Sequence, residues 1–296
     1  MTGSIGNDVT IVDACTRGGE GGSPTAVLVD DVTFSDSTRR AIVRRAGTSH
    51  AAFVDPDSGT TPTVRFFTAS GELTNCGHGT IAAQAFLLHS RRLRAHRLRQ
   101  RTGGRTFDTT AVQRDNGIEV WFDQGPVELR SCTAAARDSL LAALGIGVDD
   151  LAVDDVPCVA SPGTPRLLVP VRTPAILLSV RPDLRRLAAD CRRLGYLGCF
   201  VYTLDPNRNA GAARMFAPAI EVGEDVVNAN STGCLAAHLF ATRGQRGVDV
   251  EQGHAAGRPS SVFATASGTT QGISARVGGM ATIRSRPTDT VDGDAS

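Results

Sequence analysis

The sequence predicts an α+β protein built from two related halves, and three observations predict it. The first is a repeated strand–turn–helix motif. Arg65-Phe-Phe-Thr68 runs into Asn75-Cys76-Gly77-His78-Gly79-Thr80 and then Ala82-Ala83. Far downstream, Arg214-Met-Phe-Ala217-Pro218 is followed by Asn230-Ser231-Thr232-Gly233-Cys234 and then Ala236-Ala237. The second is an earlier echo in the same order: Gly22-Ser23-Pro24 opens an apolar run in one half, and Gly163-Thr164-Pro165 opens one in the other. Two echoes in one order indicate duplication. The third is length, since 296 residues are long for one hydrophobic core and comfortable for two lobes. Asp123-Gln-Gly125-Pro126 reads as the passage between lobes 1–126 and 127–296, the last strands being free to return to the first lobe.

Taken in order, residues 1–8 are polar and expected to fray. Val9–Ala14 reads as a strand, Gly18–Pro24 as a turn, and Thr25–Val29 as a strand paired antiparallel with the first. Ser37–Ala46 is a short helix with a serine N-cap, stopped by Gly47. A strand begins near His50, Asp55–Gly59 is a turn, and Thr63–Thr68 is the strand feeding the central motif. The helix from about His78 to His89 is apolar around most of its surface, which predicts burial. Arg91–Arg101 carries six arginines and reads as a solvated face and strand edge. Thr106–Phe122 gives two strands about a turn at Asp115–Gly117. In the second half, Ala134–Leu144 is a helix stopped by Gly145, and Pro182–Leu194 an amphipathic helix. Gly198–Thr203 and Ala212–Pro218 are strands. A helix from about Thr232 to Ala241 closes at Gly244, and Val262–Arg286 gives further short strands before a polar tail.

Composition excludes several functions. Apolar content of 41% with 21% charge is that of a soluble globular chain, and no apolar run is long enough to cross a bilayer. A net charge of +1 argues against a nucleic-acid surface. All 31 basic residues are arginine, so no lysine is available for a pyridoxal phosphate Schiff base. Seven cysteines without CxxC pairs, and no signal peptide, predict a reducing cytoplasmic setting. No His/Cys group shows zinc-ligand spacing, so neither a metal nor any other cofactor is expected.

The two glycine-bearing turns are where chemistry is expected. A helix start leaves backbone N–H groups free, and their dipoles favour an anion. Gly77 and Gly79 in one half, and Ser231, Thr232 and Gly233 in the other, have little bulk to obstruct a substrate carboxylate held between the two helix ends. The same field is expected to lower the pKa of Cys76, placing a thiolate to exchange a proton with carbon. The bland alternative for Cys76 is a small buried hydrophobe at a tight turn. His78 is a candidate acid/base or hydrogen-bond donor, its bland alternative being a helix cap. Aligning Ala82-Ala83 with Ala236-Ala237 sets Cys76 opposite Asn230 and Thr80 opposite Cys234, whose bland alternative is packing.

At this point the chain resembles the phenazine-biosynthesis-like (PhzF-like) proteins of the diaminopimelate epimerase fold. The resemblance rests on Val12-Asp13-Ala-Cys-Thr16 with Gly22-Ser23-Pro24, on Arg65-Phe-Phe-Thr68 with Glu72 and Cys76-Gly-His78-Gly-Thr80, on Arg214-Met-Phe-Ala-Pro218 with Glu224-Asp225 and Thr232-Gly233, and on Gly257-Arg-Pro-Ser260. It covers residues 9–285. It implies two pseudo-symmetric lobes, each a curled, mostly antiparallel sheet or barrel around a central helix, with the site in the cleft between them. The implied chemistry is cofactor-free proton transfer at carbon by a homodimer. Cys76-Gly-His-Gly-Thr80 is also similar to the first thiol motif of proline racemases and hydroxyproline epimerases, which use two cysteines. This chain departs from both patterns: Asn230 stands at the second epimerase cysteine, His50 at the phenazine enzyme's acid/base carboxylate, Ala229 at an expected aspartate, and Cys234 at an expected serine.

The resulting expectation is an isomerase that shifts a double bond in a small unsaturated carboxylic or amino acid. Its catalytic residues are His50, Cys76, His78 and Cys234; its binding residues are Ser23, Asn75, Gly77, Gly79, Thr80, Asn230, Ser231, Thr232 and Gly233. The thiol motif suggests a pyrroline-type ring acid, and the lysine-free composition an actinobacterial antibiotic pathway, as for alkylproline building blocks. The rivals are an epimerase of a cyclic amino acid and a non-catalytic carboxylate-binding member.

Overall fold

A computed structural model of the chain describes residues 9–55 and 61–284. The polar termini and most of the turn expected at 55–59 lie outside the described residues. The first half contains β1 (Thr10–Thr16), β2 (Ser23–Val29), α1 (Asp36–Ala46), β3 (His50–Asp55), β4 (Thr63–Phe67), β5 (Glu72–Leu73), α2 (Gly77–Ser90), β6 (Ala95–Thr102), β7 (Arg105–Arg114) and β8 (Gly117–Pro126). The second contains β9 (Glu128–Ser131), α3 (Ala134–Leu144), β10 (Cys158–Ser161), β11 (Arg166–Pro170), α4 (Pro174–Ser179), α5 (Leu184–Leu194), β12 (Cys199–Leu204), β13 (Ala210–Ala217), β14 (Val222–Asp225), α6 (Ala229–Arg243), β15 (Gly247–Gln252), β16 (Ser260–Thr269) and β17 (Gly272–Ile283).

Strand pairing closes two rings. One runs β1–β2–β3–β4–β6–β7–β8–β17 and back to β1. The other runs β9–β10–β11–β12–β13–β15–β16–β17. It closes because β17 lies against the end of β8, where Ser274 pairs with Pro126 and Val127 N–H donates to Ile273 C=O at 2.8 Å. Most pairs are antiparallel, and each ring has two parallel neighbours, β2/β3 and β4/β6 in one, β11/β12 and β13/β15 in the other. Asp123–Pro126, read as a passage between lobes, is therefore ladder-forming strand. The segment expected as short strands beyond Val262 is two long ones, β16 and β17.

Each ring wraps one helix. Ile81, Ala82, Ala83, Ala85 and Leu88 of α2, and Leu235, Ala236, Ala237 and Leu239 of α6, are buried in one continuous core. A helix apolar on all sides has no stable position except inside. The strands around it are often covered on both faces: Leu168 of β11 points into the ring, while Leu167 and Val169 pack outward beneath α3, α4 and α5. Double coverage explains why such strands read as unbroken apolar runs. On the first half α1 covers the outer face, where Val43 meets Leu28, Phe53 and Phe67.

α1 is capped by Ser35, whose side chain accepts from Thr38 N–H, and it stops at Gly47 with φ 65°. The late Gly257-Arg258 motif is structural. Arg258 donates to the carbonyls of Gly21 and Gly22 at 2.9 and 2.7 Å and to Asp13 at 2.7 Å, tying the start of β16 to the β1–β2 turn. A Cβ at Gly21 would sit 1.9 Å from Pro259 C=O, so only glycine fits there.

Candidate active site

The two central helices begin in matching ways. Cys76 is the N-cap of α2, its Sγ accepting from Gly79 N–H at 3.4 Å; Asn228 is the N-cap of α6, its Oδ1 accepting from Ser231 N–H at 3.0 Å. Thr80 Oγ1 donates to Cys76 C=O and Thr232 Oγ1 to Asn228 C=O. Gln100 then donates to Thr80, and Gln252 to Thr232. Arg65 makes a bidentate pair with Glu72, and Arg214 one with Glu224. By this register the counterpart of Cys76 is Asn228, and that of His78 is Asn230. The alignment on Ala-Ala pairs, which set Cys76 opposite Asn230, slips by two residues.

The helix starts touch. Asn230 Nδ2 donates to Asn75 Oδ1 at 3.1 Å, and a Cβ on Gly77 would lie 2.8 Å from Ala229 Cβ and 3.0 Å from Asn230 Oδ1. A Cβ on Gly79 would lie 2.8 Å from the Phe66 ring and 2.9 Å from Cys76 Sγ. Gly79 therefore lets α2 approach the strand β4, a correction to the expectation that it makes room for a ligand, while Gly77 lets the two helices approach and also lines the opening described next.

Where the helix starts meet, a cavity of about 280 Å³ opens between the two halves. His50, the first residue of β3, enters it from one side, with Nδ1 3.1 Å from His78 Nε2 and 2.9 Å from Ser49 Oγ. The two rings meet edge to face. Cys76 Sγ is 3.5 Å from His78 Nε2. Burial, then the nearby His78, hold His50 down at about 3, while Asp225 opposes the shift. Burial also holds His78 at about 4. The Cys76 thiol is pushed up to about 12 by burial, against the pull of Gly79 N–H. The expected thiolate is therefore a protonated thiol, because desolvation outweighs the helix-end field.

His50, Asn75, Cys76, Gly77, His78 and Asn230 line the cavity. Gly79, Thr80, Ser231, Thr232, Gly233, Cys234 and Ser23 do not. Cys234, fully buried in the α6 core, faces Gln124 Nε2 at 3.8 Å. Gly233 also packs on Gln124, and Thr80 and Thr232 turn back to their caps. Ser231 is buried under Arg166, and Ser23 is held in the β1–β2 ladder opposite Ala14. Asp225, Asn228 and Arg166 are among the cavity-wall residues absent from the expected site. Asp225 accepts from Asn228 Nδ2 at 3.0 Å, and burial raises its pKa although His50 and several donors oppose this. Its signal was present in the Glu224-Asp225 pair; Arg166 carried none, lying in what reads as a strand start.

His50, Cys76 and His78 present ligand atoms within 4.8 Å of one another, a donor set suited to zinc. The spacing reading passed over it because His50 lies far from the motif in sequence. Among the described residues no helix is long and apolar enough to cross a membrane.

Compared with known proteins, residues 12–286 match the family described as phenazine biosynthesis-like protein (PhzC-PhzF). The chain belongs to this family. The PhzF-like chain is 30% identical over 276 residues to the trans-2,3-dihydro-3-hydroxyanthranilate isomerase of Pseudomonas fluorescens, covering 88% of this chain and 91% of the relative. It superposes on a predicted epimerase from Pseudomonas aeruginosa with a TM-score of 0.79, at 26% identity over 94% of this chain and 97% of the other. A hydroxyproline epimerase from Agrobacterium vitis shares the fold at a TM-score of 0.64 and 12% identity, over 93% of this chain and 88% of the other. The PhzF-like chain is an isomerase with the diaminopimelate epimerase fold of two pseudo-symmetric lobes.

Proposed function

We propose that this isomerase moves a proton between two carbons of a small unsaturated carboxylic or amino acid, shifting a double bond without a cofactor. The observation carrying this reading is the His50–His78 contact of 3.1 Å on the wall of a small cavity. His78 Nε2 faces both His50 Nδ1 and Cys76 Sγ, while its ring also meets the backbone of Val227. A proton on the nitrogen toward Val227 leaves Nε2 as an acceptor. His50 then donates from Nδ1, and its Nε2, which has no hydrogen bond among the described residues, is the free base. This nitrogen takes a proton from one carbon; the C–H electron pair passes into the conjugated system and forms an enolate. The same imidazolium returns its proton to a second carbon, so one C–H bond breaks, one forms and the double bond moves. Asp225 stabilises the transient imidazolium, and the α2 helix start stabilises the enolate.

A two-base epimerase needs a second proton carrier on the opposite wall; Asn228 and Asn230 there do not titrate, and the carboxylate of Asp225 accepts from Asn228 and serves as the counter-charge of His50. The cavity volume suits a single five-membered ring acid of the pyrroline type, as in an antibiotic precursor. The test is incubation with a panel of unsaturated cyclic amino acids in deuterium oxide. Deuterium uptake together with an ultraviolet shift, undiminished by chelator, supports the isomerase. α-Hydrogen exchange with an unchanged spectrum points to the epimerase, and absence of exchange with every panel member sinks both.

A further inference from the structure

Arg166 is a cation of the cavity wall for which no carboxylate partner stands among the described residues. It opens β11, is 2% exposed, and lines the cavity wall contributed by the second half. Nη1 donates to Ser231 Oγ at 3.2 Å and Nη2 to Thr164 C=O at 2.8 Å. Nε is buried without a partner, and no carboxylate among the described residues pairs with it. Of the acids on the cavity wall, Glu72 holds Arg65, while Asp225 accepts from Asn228 and makes no ion pair with Arg166. A guanidinium has five donors and a permanent charge, so burying it on two neutral acceptors is costly. That cost is recovered when an anion arrives.

The duplication shows why the two walls differ. In the first half Thr25 and His50 stand one step before the paired residues Ala26 and Ala51. In the second, Arg166 and Gly198 stand one step before Leu167 and Cys199. Where one half presents an imidazole beside a threonine, the other presents a cation beside a glycine. A Cβ on Gly198 would lie 2.0 Å from Phe216 C=O, so no side chain fits there.

Resting on the isomerase reading, we propose that Arg166, with the start of α6, binds a carboxylate of the substrate and so turns its reacting carbons toward His50. Among the described residues no other arginine lines the cavity. The anion is thus clamped by the second half and the proton is moved by the first.

The test uses the full chain, two planar ring probes and calorimetry. Pyrrole-2-carboxylate is the anion, and pyrrole-2-carboxamide its neutral isostere. The wild type is expected to prefer the carboxylate by about 30-fold or more, and Arg166→Gln to reduce the preference to within about threefold. A preference that survives Arg166→Gln, or no preference in the wild type, overturns the proposal. If Arg166→Gln does not fold, wild-type crystals soaked in 4-bromopyrrole-2-carboxylate decide. A carboxylate on the guanidinium supports the clamp, and one bound elsewhere removes it. The two readings fail separately. Carboxylate capture at Arg166 without proton exchange on any substrate defeats the isomerase reading alone. Turnover by Arg166→Gln at unchanged KM defeats the clamp alone.

Discussion

At the scale of single residues, the site depends on groups kept neutral by burial. His50→Gln is expected to lower kcat by about 10²–10⁴-fold, because it removes the base and leaves the cavity shape. Pyrrole-2-carboxylate should still bind that variant, since the anion contact is at Arg166; loss of both properties would point to collapse of the wall. The pH profile follows from the shifts. With His50 at about 3 and His78 at about 4, both rings are neutral throughout the physiological range. The acid limb of kcat/KM should therefore fall well below pH 6, and a limb centred near the ordinary histidine value of 6.5 would show that His50 is not the base. At this scale the sequence was legible where a motif is contiguous, as in Cys76-Gly77-His78, and His50 came from family resemblance. It misled on Cys76. The helix-end field can be read from neighbouring residues, but desolvation comes from packing by distant ones. Arg166 and Asp225 escaped because their functional meaning is only that of partners, or their absence, across the cavity.

At the scale of elements, the site is a junction between two helix starts. Gly77→Ala places a Cβ 2.8 Å from that of Ala229, so α2 and α6 must separate. We expect a loss of about 1–3 kcal/mol in unfolding free energy, with a fall in kcat as His78 moves. Asn228→Ala removes the α6 cap and the donor to Asp225, and should cost about 0.5–2 kcal/mol. Thermal melts and kinetics on both variants check this; stability and rate unchanged in Gly77→Ala would mean that the junction is loose. Helices with a capping residue and a terminal glycine were readable. α3 runs from Ala134 to Leu144 and stops at Gly145, as expected. α4, β9, β10 and β15 were not. The first three are too short for a period to emerge, and β15 offers only Val248 and Val250 as apolar positions.

At the scale of the molecule, β17 belongs to both rings, pairing with β1, β8 and β16. Truncation after Thr269 should therefore unfold both halves together, seen as loss of cooperative melting; a truncated chain that keeps half of its transition would show the rings to be independent. Stability should also peak near pH 6.5. The folded pKa values of His50 and His78 lie below 6.5, so their contribution is complete above that value and is lost as pH falls toward 4 and 3. His238 is the reverse. Paired with Asp155 at 2.7 Å, it is raised to about 9 although burial opposes this. Its contribution is complete below pH 6.5 and is lost as pH rises through 9. Melting temperature against pH measures both limbs, and His238→Gln should flatten only the alkaline one.

By itself the sequence determined the duplication, the two buried helices and the residues at their first turns. These are written in short contiguous signals: caps, glycines and apolar periodicity. Only the tertiary structure decided which side chains share the cavity, that the thiol stays protonated, and that one half supplies two imidazoles while the other supplies a cation without a carboxylate partner among the described residues. Those properties depend on desolvation and on distances between residues far apart in the chain, and neither quantity is local to any stretch of it.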